Sequence, residues 1–227
     1  MKKKYPYEVI FWTDIATPYR TTFYNFLEKK GLFFNVWYVK RKLRTRTWDI
    51  KKMPIEHNHI IGKGITYASN IYNFHFNPIL IIKACFLSRQ TILILGLSWN
   101  DFNVLFIAIL KKIGLIRSKI TFWSEANYLT LGARKKYWFK TKFRQWIYDI
   151  TDAPQISSGK MTKDTFKIWG IKNNSYIDLP NTIQEDSFEI SKSEINERDY
   201  NNPKVILIAA RLIESIKGIH NFLCPRF

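Results

Sequence analysis

Short apolar runs, rich in β-branched and aromatic residues, recur along most of the chain and are separated by polar turns. They predict strands near residues 8–13, 33–39, 91–96, 120–124, 153–157 and 176–179. Runs that are apolar at nearly every position are typical of strands buried on both faces of a parallel sheet. The pattern therefore predicts an α/β fold with a Rossmann-like, mainly parallel sheet.

Segments with helical periodicity lie between these runs. Tyr19, Phe23, Phe26 and Leu27 share one face at spacings of three and four, which predicts a helix over residues 19–30, and Gly31 follows as its C-terminal cap. Further helices are predicted over residues 78–88, in the segment that ends at Lys112, and over 133–150 and 161–169, whereas 60–72 is predicted to form irregular structure or short strands.

The composition permits a folded core and points to anionic partners. Of the 227 residues, 46% are hydrophobic and 16% are aromatic, which excludes wholesale disorder. The formal net charge of +18 makes nucleic acid, an anionic membrane surface and phosphorylated small molecules candidate partners. The two cysteines, Cys85 and Cys224, form no Cys-x-x-Cys pair. No zinc motif or disulfide framework is predicted, and a reducing cytoplasm fits.

No transmembrane segment is predicted. The longest apolar region, residues 92–110, is interrupted by Ser98, Asn100, Asp101 and Asn103, so it is predicted to form a strand, a loop and a buried helix. The apolar run behind the N-terminal lysines is shorter than a signal peptide requires.

Two segments combine cations with aromatic residues. Residues 40–48 are densely basic, and they either contact phosphates of lipid or nucleic acid or form a solvated loop. The predicted helix 133–150 mixes Lys and Arg with Trp, Tyr and Phe. It either lies at an anionic membrane surface or turns an aromatic stripe to the core and a cationic back to water.

The last apolar run, residues 205–210, ends abruptly at Arg211, and Lys217 and Gly218 follow. Cations just beyond a parallel strand lie at the edge where open α/β sheets bind ligands. Because Arg presents a planar fork to phosphate oxygens and Lys a mobile point charge, a diphosphate would suit them, unless both cations are simply solvated.

The segment Ala-Arg-Leu-Ile-Glu-Ser-Ile-Lys-Gly over 210–218 resembles the Gly-Arg-Leu…Lys-Gly segment that opens the C-terminal domain of family 4 glycosyltransferases. The resemblance implies the GT-B fold, in which two Rossmann-like domains face each other across a cleft. It also implies that Arg211 and Lys217 bind the diphosphate of a nucleotide sugar. Residues 153–183, which end in Pro-Asn-Thr-Ile, are similar to the end of the family's N-terminal domain.

Two groups of residues are expected to line the acceptor side of the cleft. Pro18, Tyr19 and Arg20 resemble a Pro-Tyr-Arg found at the start of the first helix in some family members. Arg20 either faces an anionic substrate or is a solvated helix residue.

Ser124, Glu125 and Asn127 follow the strand near 120–124, where family members often carry a His. Glu125 is the candidate catalytic residue. It could hydrogen-bond sugar hydroxyls, act as a base, or pair with a neighbouring Arg.

The domain organisation expected from the resemblance is an N-terminal acceptor-side domain over 1–183, a linker over 184–203 and the start of a donor-binding domain over 204–227. We expect the chain to be truncated, since the family's donor-side Glu pair has no counterpart. The short form alone is expected to show no detectable transfer.

The expected function is transfer of a hexose from a UDP- or GDP-linked sugar to a lipid-linked or polysaccharide acceptor in cell-surface glycan biosynthesis. The resemblance implies retention of anomeric configuration and no cofactor or metal, in agreement with the lack of an Asp-x-Asp motif. The expected location is the inner face of the cell membrane, bound peripherally. The alternatives are a truncated, non-catalytic remnant and a basic protein that binds membrane surfaces or nucleic acid, although no nucleic-acid-binding motif occurs.

Overall fold

The computed structural model describes residues 7–40, 54–68, 73–129, 138–173 and 175–181. In this part of the chain the strands are β1 (Glu8–Thr13), β2 (Phe34–Tyr38), β3 (His59–Ile61), β4 (Ile65–Ala68), β5 (Asn73–Phe76), β6 (Thr91–Gly96), β7 (Lys119–Ser124), β8 (Gln155–Ser157) and β9 (Tyr176–Asp178). The helices are α1 (Pro18–Lys29), α2 (Pro78–Cys85), α3 (Phe102–Lys112), α4 (Trp138–Tyr148) and α5 (Lys160–Ile168).

Seven strands form one sheet in the order β3-β2-β1-β6-β7-β8-β9, and every neighbouring pair is parallel. The predicted α/β fold with a mainly parallel sheet is therefore confirmed, and so are all six predicted strands. β3 adds a seventh strand at the edge. The predicted short strands within residues 60–72 include β4, and residues 69–72 lie outside the described part.

The chain changes direction at β1, which pairs with β2 on one side and with β6 on the other. Parallel crossovers are right-handed. A helix that follows the chain from β1 towards β2 therefore lies on one face of the sheet, and helices that follow it from β6 towards β9 lie on the other. α1 covers one face, where Tyr24 packs with Phe11 and Trp123. On the other face, Tyr148 of α4 contacts both Phe122 of the sheet and Phe166 of α5.

One cation of α4 is buried, which neither interpretation of the basic aromatic helix had predicted. Arg144 is only 5% exposed. Its guanidinium carbon lies 3.8 Å from the centroid of the Trp169 ring and 4.7 Å from that of Trp99. Both interpretations had turned the cations of this helix outward. They failed for Arg144 because a guanidinium can stack between aromatic rings supplied by distant segments.

A small antiparallel hairpin, formed by β4 and β5, follows β3. Its base is fixed by buried amides, since Asn103 Oδ1 accepts from the backbone N–H of Asn77 at 2.8 Å and its Nδ2 donates to the carbonyl of His75 at 2.9 Å. A Cβ on Gly64 would lie 2.3 Å from the carbonyl oxygen of Phe76, so a glycine is needed there. The hairpin is thereby held against the start of α3.

A second polar network ties the loop before β3 to α1. Oδ1 of Asn25 accepts from the backbone N–H groups of Glu56 and His57, so the His57 Nδ1, at 2.6 Å, must carry a proton and donate to it. The His57 Nε2 therefore accepts from the Tyr38 hydroxyl, at 2.9 Å. His57 is 2% exposed, and burial, with a smaller effect of the nearby His59, lowers the pKa of its imidazole to about 4.

We predict that this imidazole makes the protein less stable in mild acid. Because the folded-state pKa is lowered, the unfolded chain binds the proton more readily, so the His57 contribution is complete above pH 6.5 and is lost as the pH falls towards 4. At pH 5 the expected loss is about 2 kcal/mol. Urea unfolding at pH 7.5 and pH 5 measures it. The difference between the two pH values should shrink by that amount in His57→Gln and persist in His59→Gln, and an unchanged difference in His57→Gln would contradict the assignment.

Candidate functional site

Polar side chains gather where β1, β6 and β7 end, next to the point at which the sheet order reverses. Thr13, Gly96 and Ser124 are the last residues of these three strands, and Glu125 follows directly. Open α/β sheets bind ligands in the crevice outside the carboxyl ends of strands at such a switch point. We therefore take this edge as the candidate site.

Arg20 crosses the switch point from the first turn of α1. Its Nη2 donates to Glu125 Oε1 at 2.7 Å, and its Nη1 donates to the Thr13 hydroxyl at 3.1 Å. The guanidinium carbon also lies 4.5 Å from the centroid of the Trp123 ring. One side chain thus joins the ends of β1 and β7, which are separated by β6.

The start of α1 explains this direction. Pro18 is the first helical residue, where its missing N–H costs no hydrogen bond and its fixed φ suits the helix. Long side chains in a helix point back towards the N-terminus, so Arg20 is directed over the turn that follows β1. Arg20 is only 7% exposed, which does not fit the alternative of a solvated helix residue.

Gly96 forms the floor beneath the guanidinium. A Cβ at this position would lie 2.9 Å from Arg20 Nη1, which is closer than side-chain atoms normally approach. The backbone of Gly96 has no left-handed conformation. The requirement for glycine is therefore one of space for Arg20.

Glu125 balances the buried charge and remains accessible. Its side chain is 43% exposed, and one oxygen, Oε1, is fixed by Arg20. An ionised carboxylate with one fixed and one accessible oxygen can accept a hydrogen bond from a hydroxyl or take its proton. The sequence left three roles open for Glu125, and one of them, the ion pair with an Arg, is present. This ion pair is compatible with hydrogen bonding to a sugar hydroxyl and with action as a base.

The other predicted cleft residues belong to the segments that carry this pair. Pro18 is exposed, and Tyr19, Ser124 and Asn127 are half-buried. The Ser124 hydroxyl accepts from the backbone N–H of Ala126 at 3.1 Å, which shapes the turn after β7. All of these residues belong to segments that border the end of β1 or β7.

Two further ion pairs lie at the same edge of the sheet. Asp14, after β1, is 3.7 Å from the ammonium of Lys40 after β2. At the other end, the Asp178 carboxylate accepts from Lys163 at 2.6 Å and from the Ser157 hydroxyl at 2.7 Å. These two hydrogen bonds, that of Lys163 being the stronger influence, lower the pKa of Asp178. The site is thus flanked by fixed, neutralised charges.

Three residues of the site were missed by sequence reasoning. Thr13, Gly96 and Trp123 contact Arg20, and each lies at or next to the end of a correctly predicted strand. Their position at the carboxyl ends of predicted parallel strands could have marked them as candidates. The sequence could not show that Arg20 would lie against them, because that depends on the order of strands in the sheet.

The predicted diphosphate ligands, Arg211 and Lys217, lie outside the described residues, as do the linker 184–203 and most of the basic segment 40–48. Within the described ranges, no three His, Cys, Asp or Glu side chains are grouped to hold a metal ion. The lack of a metal or cofactor requirement stays a prediction. No helix in the described part is long and apolar enough to cross a membrane.

Comparison with known proteins supports the fold. No protein-family model and no curated protein matches the chain. HepE from Anabaena matches in three solved structures. Its complex with UDP and glucose gives a TM-score of 0.55 at 9% identity, over 83% of this chain and 48% of that one. The complex with UDP gives 0.53 and the complex with UDP-glucose 0.50, each at 10% identity over 84% of this chain and 48% of the other.

The chain therefore spans about half the length of these structures. At such low identity the likeness establishes the fold, an α/β domain with a mainly parallel sheet, and not the activity.

We predict that Gly96→Ala disturbs the site while leaving the fold nearly intact. The new methyl group meets the flexible end of Arg20, not backbone, so the guanidinium moves and its bonds to Thr13 and Glu125 weaken. The expected loss of unfolding free energy is below about 1 kcal/mol, since only a partly exposed ion pair is affected. Urea unfolding measures the cost, and the arginine Nε–Hε resonance of Arg20 in NMR reports its displacement. An unmoved resonance would contradict this packing.

Proposed function

We propose that this chain forms the acceptor-side half of a glycosyltransferase of the family 4 type. In this proposal it serves to transfer a hexose from a UDP- or GDP-linked sugar to a lipid-linked or polysaccharide acceptor, with retention of configuration. The supporting observation is the Arg20–Glu125 pair at the switch point of a fold shared with HepE complexes that hold UDP, UDP with glucose, and UDP-glucose.

Glu125 is the residue proposed to meet the acceptor. A hydroxyl nucleophile gains reactivity when a carboxylate accepts its hydrogen bond, because positive charge builds on the attacking oxygen as the new bond forms and the carboxylate takes up its proton. The accessible Oε2 offers this contact. Arg20 is a positioning residue in this scheme: it fixes Oε1, and its stacking on Trp123 fixes Arg20 itself.

Arg211 and Lys217 are proposed to bind the donor diphosphate. Charge accumulates on the diphosphate as the sugar leaves, and fixed cations stabilise that charge in the transition state more than in the ground state. The fork of Arg211 is suited to two phosphate oxygens at once. No metal or other cofactor is assigned to the reaction in this proposal.

We also propose that the protein works in the cytoplasm, peripherally attached to the inner face of the membrane, and that it contributes to cell-surface glycans. The net charge of +18 supports attraction to an anionic leaflet. A lipid-linked acceptor would be presented at such a surface.

The test is a transfer assay with a panel of UDP- and GDP-hexoses and membranes that carry a lipid-linked acceptor. Because the chain spans about half of the HepE structures, the assay uses a form in which a complete donor-binding domain follows it. Glu125→Gln is expected to lower kcat/KM by about a hundredfold, in the range of lost acid–base assistance. Arg211→Ala should raise the KM for the donor and remove most of the activity.

The matched control is Glu56→Gln. Glu56 is exposed to the same degree as Glu125 and also pairs with a cation, Lys29, at 3.1 Å, but it lies before β3 and away from the strand ends. It should retain activity within about twofold, as expected of an exposed ion pair remote from a site. Equal losses in Glu56→Gln and Glu125→Gln, or no transfer from any donor, would refute the proposal.

A further inference from the structure

The outward surface of three neighbouring helices is unusually apolar. α3 packs between α2 and α4 on the face of the sheet opposite α1. A helix that covers a sheet normally turns polar residues to water, and a helix that is apolar all round is normally buried. In each of the three helices, the side turned away from the sheet departs from that expectation.

α2 is the first of the three. Leu80, Ile81 and Ala84 face the core. On the outer side, Ile82 is exposed, and Phe86, directly after the last turn, is 84% exposed. The helix is thus apolar on both sides.

α3 repeats the pattern over its whole length. Phe102, Phe106, Ile109 and Ile113 recur at spacings of four, three and four, and all four side chains are exposed. They form a continuous apolar stripe along the outer side of the helix.

α4 adds the largest side chains. Trp138 is 76% exposed, and Phe139 and Phe143 are exposed as well. The sequence had predicted that the aromatic residues of this helix would either meet a membrane or face the core. The described part of the helix turns these three outward and buries Arg144.

The exposed charges of these helices are all of one sign. None of the three helices contains an Asp or a Glu, and their exposed cations are Lys83, Lys112, Lys140 and Lys142. Lys111 is mostly buried and pairs with Asp152 at 2.7 Å. The ammonium of Lys112 lies 5.1 Å from the centroid of the Trp146 ring, so cation and aromatic residue meet between α3 and α4.

The outer sides of α1 and α5 provide the contrast. α1 exposes one large apolar residue, Phe26, and α5 exposes Met161 and Ile168. These helices also turn out Thr22, Lys29, Lys160 and Lys167, and each contains an acidic residue, Glu28 or Asp164. An apolar surface with only cations therefore belongs to α2, α3 and α4, and not to the helices of this protein in general.

We propose that the outer surface of α2, α3 and α4 is the face that docks on an anionic membrane. Aromatic and aliphatic side chains enter the interface between headgroups and acyl chains, and Lys ammonium groups remain among the lipid phosphates. A second copy of the chain suits the surface poorly, because like-charged lysines would meet. This proposal identifies the surface by which the protein would attach to the membrane, and it therefore rests on the proposed function. Its test needs no sugar donor.

The test is sedimentation of the 227-residue chain with vesicles of phosphatidylcholine alone or mixed with phosphatidylglycerol. The chain should bind the anionic vesicles, and salt should weaken the binding because it screens the surface potential. Phe86→Ser combined with Ile113→Ser should weaken binding about tenfold, in keeping with the apolar area withdrawn from the interface. Lys83→Gln with Lys142→Gln should weaken it by a similar factor at low salt.

The matched control is Phe26→Ser with Phe33→Ser. Both side chains are more than half exposed, like those of the test pair, but they lie in α1 and in the loop after it. This control should bind as the wild type does. Equal losses in both pairs, or equal binding to neutral vesicles, would overturn the assignment of the face.

Two further measurements keep the result interpretable. Brominated lipids should quench the emission of Trp138 more than that of the buried tryptophans, and the quenching should fall in Trp138→Phe.

Sedimentation equilibrium without vesicles gives the oligomeric state. A dimer that dissociates on Phe86→Ser with Ile113→Ser would show that the face joins two copies, and would overturn the proposal. Vesicle binding without transfer would leave this inference standing and count against the proposed activity.

Discussion

The pairing of β1 with β6 sets the arrangement of the other strands and helices in the described residues. β1 also pairs with β2, so the chain moves outward from it in two directions. The right-handed crossover then places α1 on one face of the sheet and the later helices on the other. The same reversal opens a crevice at the carboxyl ends of β1 and β6. The candidate site and the helix-covered face that carries α2, α3 and α4 both follow from this strand order.

Arg20 fills that crevice, and its burial explains the composition of the site. A guanidinium withdrawn from water is costly unless its charge is compensated and its N–H groups find acceptors. Glu125 supplies the charge, the Thr13 hydroxyl supplies an acceptor, and the face of Trp123 supplies the stacking surface. Gly96 supplies the space. The partly exposed Glu125 is then held in one orientation at the mouth of the crevice, which is what a group that meets a substrate requires.

The apolar outer surface of α2, α3 and α4 lies on one face of the sheet, whereas the site lies at the carboxyl ends of the strands. The helices run back from the ligand edge, so their outer surface lies along the side of the domain and leaves the strand ends open. A membrane-bound protein with this arrangement would keep its crevice accessible while its helices contact lipid. The opposite side, covered by α1 and the His57 network, also exposes Phe26 and Phe33, but α1 contains an acidic residue, Glu28.

The secondary-structure elements and the fold class could be predicted from the amino-acid sequence. Apolar runs and helical periods of three to four are local properties, so β1, β2, β6 and α1 were predicted within one or two residues, and Pro18 and Gly31 marked the two ends of α1 correctly. The sequence also identified two candidates, Arg20 through the resemblance of Pro18, Tyr19 and Arg20 to a Pro-Tyr-Arg of the family, and Glu125 because it follows a predicted strand.

The pairing of Arg20 with Glu125 could not be predicted in this way, since the two residues are 105 positions apart and meet through the order of the strands. The tertiary structure also determines that Arg144 is buried while Phe139 and Trp138 are exposed. Helical periodicity states which residues share a face, but the neighbouring elements determine which face is turned inward. Trp99 and Trp169, brought together from different segments, made the cation the better residue to bury.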